Sequence, residues 1–388
     1  MQIAERVKRL GTESAFAVLA KAKHLESKGR DIIHLEIGQP DFDTPGNIKE
    51  AAIRALNEGK TGYCPTSGVQ ELKMAVARET SRTRGIDIQP EQVVITPGAK
   101  PIMFFTILAT VNEGDEVMYP NPGFPIYESL INFVKGKPVP YPLREERNFS
   151  FDAEEFVSLV TDKTRLIILN SPQNPTGGIL SRSDLKTVAN VAMEKDIMVL
   201  SDEIYRRLIY DHSFHSITSI GDMMERTVIL DGFSKTYAMT GWRLGYGVMN
   251  KTLAEKIELL QVNSNSCAPN FTQYGGIEAL EGDQAPIDQM LAAFKERREV
   301  IVNGLNAIEG ISCVKPEGAF YAFPNVTKLK ISPLDFADLL LNKYGVAVLS
   351  GSSFGQYGTG YLRLSYANSI ENIGKALERI AEAVQEVN

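Results

Sequence analysis

Cysteine is scarce in this chain: Cys64, Cys267 and Cys313 are the only three, odd in number and far apart in sequence. That excludes a disulfide framework and a Cys/His metal spacing, and it reads as reduced thiols. Histidine is as sparse. His24, His34, His212 and His215 form no HExxH pattern, and the last two read as loop residues rather than ligands, so no metal is expected. The longest apolar run, Pro101–Val111, falls far short of the ~20 residues of a spanning helix, and no membrane partner is expected. Basic blocks are missing too. With 41 Lys+Arg against 48 Asp+Glu the net charge is −7, which leaves no electrostatic footprint for nucleic acid. The opening MQIAERVKRL lacks an apolar core followed by a small-residue cleavage site, so the reading is a cytoplasmic protein.

What is present is enough apolar residue, 43% of 388, to bury a large core in roughly two domains. ESAFAVLAKAKHLESKG has helical spacing and a stop at Gly29, and DIIHLEIG reads as a short strand. From about residue 91, near-continuous apolar runs follow one another: QVVITPG, DEVMYPNPG, RLIILNSP, IMVLSDE, TVILDGF and RLGYGVM. Strands apolar on both sides belong to a parallel or mixed sheet covered on both faces, which makes this an α/β protein. MLAAFKERREVIVNGLNAI then reads as an amphipathic helix, and FYAFPNV, GVAVLSG and GYLRLSYA as strands. The expected organisation is a large domain over 46–285 and a smaller α/β domain over 286–388, with residues 1–45 packing against the latter.

Three clusters of unusual residues follow strands immediately. RLIILN runs into SPQNPTGG, IMVL into SDEIY, and TVIL into DGFSK. Their key residues stand at intervals of roughly 30, the length of one strand–helix–strand unit, and ligands of open α/β sheets sit outside the carboxyl ends of the strands. Asn174, Asp202, Tyr205 and Lys235 are therefore expected around one cleft. Singly, each has an ordinary explanation: a turn former, a helix cap, a packed aromatic, a solvated lysine. Together they suit one chemistry. A lysine amine forms a Schiff base with a carbonyl, and pyridoxal phosphate (PLP) supplies that carbonyl together with an electron sink if a carboxylate keeps its ring nitrogen protonated. Asp202 would be the carboxylate, Tyr205 and Asn174 would hydrogen-bond the ring 3-oxygen, and Ser234 and Arg243 would hold the phosphate, for which the guanidinium fork is well shaped.

GFSKTYAMTGWRLG, with Lys235 followed eight residues on by Arg243, resembles the lysine signature of class I/II, fold-type I PLP-dependent aminotransferases. NSPQNPTGG, SDEIY and YLRLSYA match that family in order and spacing, and the likeness begins with LEIGQPDFDTP and covers nearly the whole chain. The resemblance, nearest to the aspartate aminotransferase subgroup, implies a mainly parallel α/β large domain of fold type I with a smaller α/β domain. It implies that Lys235 is the Schiff-base lysine and general base, that Asp202 partners the pyridinium, and that Arg363 and the Gly38 N–H bind the substrate carboxylate beside Asn174. Phe124 falls where the family stacks an aromatic ring on the cofactor; a core aromatic is the other reading. Ala99 and Lys100 fall at the start of the phosphate-binding helix. Tyr63 resembles the tyrosine that reaches the neighbouring subunit's phosphate, which implies a homodimer with shared active sites and puts Cys64 beside the cleft.

The implied reaction is ping-pong amino transfer between an amino acid and a 2-oxo acid. A PLP-dependent lyase on the same fold is an alternative, because a fold does not choose among chemistries. A regulatory binding protein on this scaffold is disfavoured, since the lysine and both arginines are present. Aspartate and 2-oxoglutarate need a second cation for the distal carboxylate. No arginine occurs between Arg243 and Arg297, so Lys100 takes that role by resemblance to the branch of the family carrying GAK. A lysine that only adds charge near the phosphate or faces solvent, and a preference for aromatic or small neutral donors such as alanine, are the alternatives.

Overall fold

A computed structural model describes residues 2–388. The chain enters through helix α1 (Ser14–Glu26) and a two-residue strand β1 (Ile33–His34). After α1 the chain turns through Gly29, whose φ of +82° is the left-handed conformation that stops a helix cheaply. Helices α2 (Gly46–Asn57) and α3 (Gln70–Arg84) then lead to the main sheet.

That sheet has seven strands: β2 (Val93–Thr96), β3 (Glu116–Asn121), β4 (Lys137–Pro142), β5 (Thr164–Asn170), β6 (Met198–Asp202), β7 (Thr227–Gly232) and β8 (Gly245–Val248). Their order is β2-β8-β7-β6-β5-β3-β4. All neighbours are parallel except β8, which runs antiparallel to β7 and to β2. The expected mainly parallel α/β architecture is what forms. On β5, Leu166 and Ile168 join one core while Ile167 and Leu169 join the other, so both faces are covered. This is why the strand reads as an unbroken apolar run.

The helix Arg182–Glu194, between β5 and β6, shows how one such cover is specified. Ser181 Oγ accepts from Asp184 N at 3.1 Å and Asp184 Oδ2 accepts from Ser181 N at 2.9 Å, a capping box. Leu185, Val188, Ala189 and Ala192 are buried on its sheet-facing stripe. At about 1.5–3 kcal/mol for each large aliphatic side chain, that stripe outweighs the cap, typically worth about 1 kcal/mol.

Two elements depart from the expected pattern. The segment between β6 and β7 has no α-helix, only the 3₁₀ turns Ile217–Ser219 and Met223–Arg226. Its polar stretch YDHSFHS carries no sustained helical stripe, so the repeating strand–helix–strand unit stops there. Strand β4, with sequence KPVPYP, was not anticipated at all. Prolines at alternate positions, Pro138, Pro140 and Pro142, turn their donor-less nitrogens to one side, and β4 tolerates this because it is an edge strand.

The C-terminal part carries the helix Ala285–Asn306, the helix Ile370–Val387 packed against it, and an antiparallel sheet of β11 (Leu349–Ser350), β12 (Leu362–Ser365) and β9 (Tyr321–Ala322). Strand β10 (Val346–Ala347) pairs in parallel with β1, so the first strand of the chain is held by one of the last. Among the described residues no helix is long and apolar enough to cross a membrane.

His34 on β1 ties these parts together. Its Nδ1 lies 2.8 Å from Glu36 Oε1 and its Nε2 lies 3.0 Å from Glu26 Oε1 on α1. The hydrogen bond to buried Glu36, opposed by burial and assisted by Glu26, raises the imidazole from 6.5 to about 9. A histidine whose folded pKa is raised contributes stability that is fully present below pH 6.5 and lost as pH rises through about 9. His34→Gln should therefore lower Tm more at pH 6 than at pH 9.5; an equal loss at both pH values would contradict this coupling.

Candidate active site

The carboxyl ends of β5, β6 and β7 open into one cleft of about 680 Å³, lined also by α1, the start of helix α4 (Lys100–Thr110) and the C-terminal sheet. Asn174, Asp202, Tyr205, Ser234, Lys235, Arg243, Gly38, Ala99, Lys100, Phe124 and Arg363 all line it. Tyr63 does not. It is 92% exposed on the surface of the single chain. Cys64 beside it packs next to Cys267, its thiol donating to Ala268 O at 3.5 Å and accepting from Gln273 Nε2 at 3.0 Å.

Asp202 ends β6 and is buried. Its Oδ2 accepts from Tyr127 Oη at 2.6 Å and its Oδ1 from Ile204 N at 3.2 Å. Burial raises its carboxyl to about 6 against the pull of those two donors, and the charges of Asp231 and Glu203 add to the rise. A carboxylate held this way favours a cation placed against it. Beneath it, Arg84 from α3 donates twice to Glu203 and reaches Asp231, while Arg206 donates to Asp231 at 2.7 Å and to Glu79 at 3.0 Å.

Lys235 follows β7 through the turn DGFSK. Its Nζ donates to Gly38 O and lies 6.0 Å from the Tyr205 ring centroid. Burial lowers the amine to about 8, with Arg363, Lys100 and Arg243 adding to the depression and Glu13 opposing it. Such an amine is partly neutral near physiological pH, far more so than an ordinary lysine, and the neutral fraction is what a nucleophile requires.

The opposite wall is aromatic and cationic. Tyr205 Oη and Tyr321 Oη are 2.7 Å apart, and burial pushes both phenols above their ordinary range, so they remain protonated hydrogen-bond donors. Arg363 lies over the Tyr321 and Phe354 rings at 4.7 and 5.0 Å, donates to Asn174 Oδ1 at 3.2 Å and to Glu36 O, and is buried. A Cβ on Gly38 would meet Tyr321 Oη at 2.1 Å, so only glycine lets the backbone approach this wall.

The residues fit a phosphorylated pyridoxal. Gly98, at φ +85°, turns the chain into α4, and a Cβ there would fall 2.2 Å from Arg243 Nη2, so the guanidinium lies directly against the backbone that opens the helix. Arg243 itself has φ +50°, a conformation costly for a non-glycine residue. With Ser234 and the backbone N–H groups of Ala99 and Lys100 at the start of α4, this arrangement can cradle an anion. Among the described residues Arg363 Nε, though buried, has no hydrogen-bond partner, which suits a group that receives a carboxylate.

Aminotransferase class I and II is the family model that matches residues 30–380. The chain belongs to that family. This aminotransferase is 40% identical over 392 residues to the probable aspartate/prephenate aminotransferase of Aquifex aeolicus, covering 99% of both chains. It is 40% identical over 359 residues to aromatic-amino-acid aminotransferase 2 of Thermococcus litoralis, covering 92% of each. The solved aspartate aminotransferase of Thermus thermophilus with maleate superposes with a TM-score of 0.95 at 35% identity, over 99% of this chain and 100% of that one.

Sequence reasoning missed several residues that build this aminotransferase's cleft. Tyr127 stands in NPGFPIY, three residues beyond Phe124, with nothing local to mark it as the partner of Asp202. Tyr321 in GAFYAF reads only as a core strand. Glu13 opens the stretch ESAFAVLAKAKHLESKG, which reads only as a helix, yet its Oε1 accepts from Lys100 Nζ.

In cofactor-free protein, labelling of Lys235 by an amine-directed reagent should rise with pH about a midpoint near 8, because only the neutral amine reacts. The ordinary lysine value from which it is lowered is 10.5. A midpoint for Lys235 at or above that of surface lysines in the same peptide map would refute the depressed amine.

Proposed function

We propose that this chain moves an amino group reversibly between L-aspartate and 2-oxoglutarate by a ping-pong route, the donor leaving as its oxo acid before the acceptor enters the same cleft. The observation that carries this reading is the pair of cations on separate walls of the cleft, buried Arg363 and half-exposed Lys100. An acidic donor brings two carboxylates, one for each. The aromatic relative argues for a broader donor range, but an aromatic side chain offers Lys100 no carboxylate to pair with.

When bound, pyridoxal phosphate supplies a carbonyl for the amine and a sink for the electrons left on the α-carbon. Lys235 would hold it through Nζ. Asp202 would keep the ring nitrogen protonated, a role supported by its burial and its bond from Tyr127. Tyr205 and Asn174 would face the ring 3-oxygen and Phe124 the ring. Ser234, Arg243 and the backbone of Ala99 and Lys100 would bind the phosphate.

Arg363 would orient the substrate by a two-pronged hydrogen bond to the α-carboxylate, assisted by Asn174 and the Gly38 N–H. As a free amine, Lys235 Nζ would take the α-hydrogen as a proton and hold it for return. General-base transfer of this kind contributes about 10²–10⁴-fold.

The two cations should separate in mutant kinetics. Arg363→Lys loses the bidentate fork and should raise KM for every amino acid and oxo acid. Lys100→Ala should lower kcat/KM for aspartate by about 1.5–3 kcal/mol, roughly ten- to a hundredfold, while alanine and phenylalanine lose much less. An equal loss across donors would make Lys100 a cofactor residue and remove the support for an acidic preference.

Tyr63, exposed on the single chain, supports a homodimer in which it reaches the phosphate of the partner's cleft. Mixed subunits carrying Tyr63→Phe and Lys235→Ala should form hybrid dimers with one intact site and show more activity than the weighted mean of the parents. Strictly additive activity after confirmed subunit exchange would count against sharing.

A further inference from the structure

We infer that Glu13 is an internal counter-ion that competes with the substrate's distal carboxylate for Lys100, so that the side-chain end of the cleft serves neutral apolar donors as well as acidic ones. This rests on the reading of Lys100 given above. Glu13 is the residue before α1, but its carboxylate does not cap that helix. It reaches instead across 87 residues of sequence to Lys100 Nζ.

Charge balance within the cleft argues for competition. Of the residues that line it, only Glu13 and Asp202 are carboxylates, against Lys100, Lys235, Arg243 and Arg363. Asp202 answers the ring nitrogen, Arg243 the phosphate and Arg363 the α-carboxylate, and Lys235 works as a neutral amine. Lys100 and Glu13 remain. With a neutral donor they balance each other; with an acidic donor a second carboxylate arrives at one ammonium, and Glu13 must yield. The pair is accessible enough for exchange, its side chains being 50% and 18% exposed, and ion pairs of that kind are weak.

The surroundings fit both occupants. Phe16, Ile37 and Phe124 give this end of the cleft an apolar lining, and Lys100 Nζ lies 5.4 Å from the Phe124 ring centroid. Glu13 is also held in place from both sides. Gly11 N donates to Ser129 Oγ at 2.8 Å, and Lys21 pairs with Asp338 at 2.6 Å. A displaced Glu13 therefore swings its side chain while the segment stays anchored.

The test is Glu13→Gln in the holoenzyme, read by kcat/KM for aspartate and phenylalanine and by calorimetric Kd for succinate, a dicarboxylate that cannot react. Removing the competitor should raise the aspartate-to-phenylalanine ratio about two- to fivefold and tighten succinate by a similar factor, the range of an exposed ion pair. A ratio that falls or stays fixed, or a succinate Kd that does not tighten, overturns the inference. Lys100→Ala in parallel separates the two claims. If it shifts the ratio and Glu13→Gln does not, only the competition fails; if neither shifts it, the acidic reading of Lys100 fails with it.

Discussion

Two arginines sharing three carboxylates beneath the cleft are the constraint on which the site depends. Arg84 and Arg206 are buried against Glu203, Asp231 and Glu79, with Tyr246 Oη donating to Asp231 at 3.0 Å. Ions taken out of water are costly unless every one is matched, and removing a single partner leaves a buried charge exposed to the full penalty. Glu203 directly follows Asp202, and Asp231 lies at the end of β7, four residues before Lys235. The network thus pins the ends of β6 and β7, and with them the two groups whose relative position the chemistry needs. Its net negative side also helps hold the Asp202 carboxyl above its ordinary range.

Above that floor the cleft is asymmetric. On the main sheet Asp202 is gripped by Tyr127, and on the C-terminal sheet Arg363 is fixed by Asn174, Glu36 and two rings. The side formed by α1 and the start of α4 is looser, and there the ion pair is half-exposed. In the proposed reaction the firmly held groups would handle the parts common to all amino acids, and the part of the substrate that varies would meet the more accessible side, where a few weak contacts can set selectivity.

Much of this was legible in the chain. The apolar runs of β5, β6 and β7 marked a sheet buried on both faces, and the polar clusters that follow them marked its functional edge, because a strand's pattern and its end are local properties. The failures share a cause. Strand β4 was hidden because alternating prolines read as loop until an edge position excuses them. His34 looked inert because Glu26 and Glu36 gain their effect only when α1 and β1 pack together.

By itself, then, the sequence determined the fold class, the order of the strands along the chain, and the residue types at the strand ends: a lysine, a carboxylate, a phenol and an amide at regular intervals. Backbone geometry and hydrophobic periodicity act over a few residues, so these were already present in short stretches. Only the tertiary structure decided which groups touch: Tyr127 with Asp202, Tyr205 with Tyr321 across 116 residues, Arg363 with Asn174 across 189, and Glu13 with Lys100. Those contacts are set by how helices and sheets pack, and packing is a property of the whole chain.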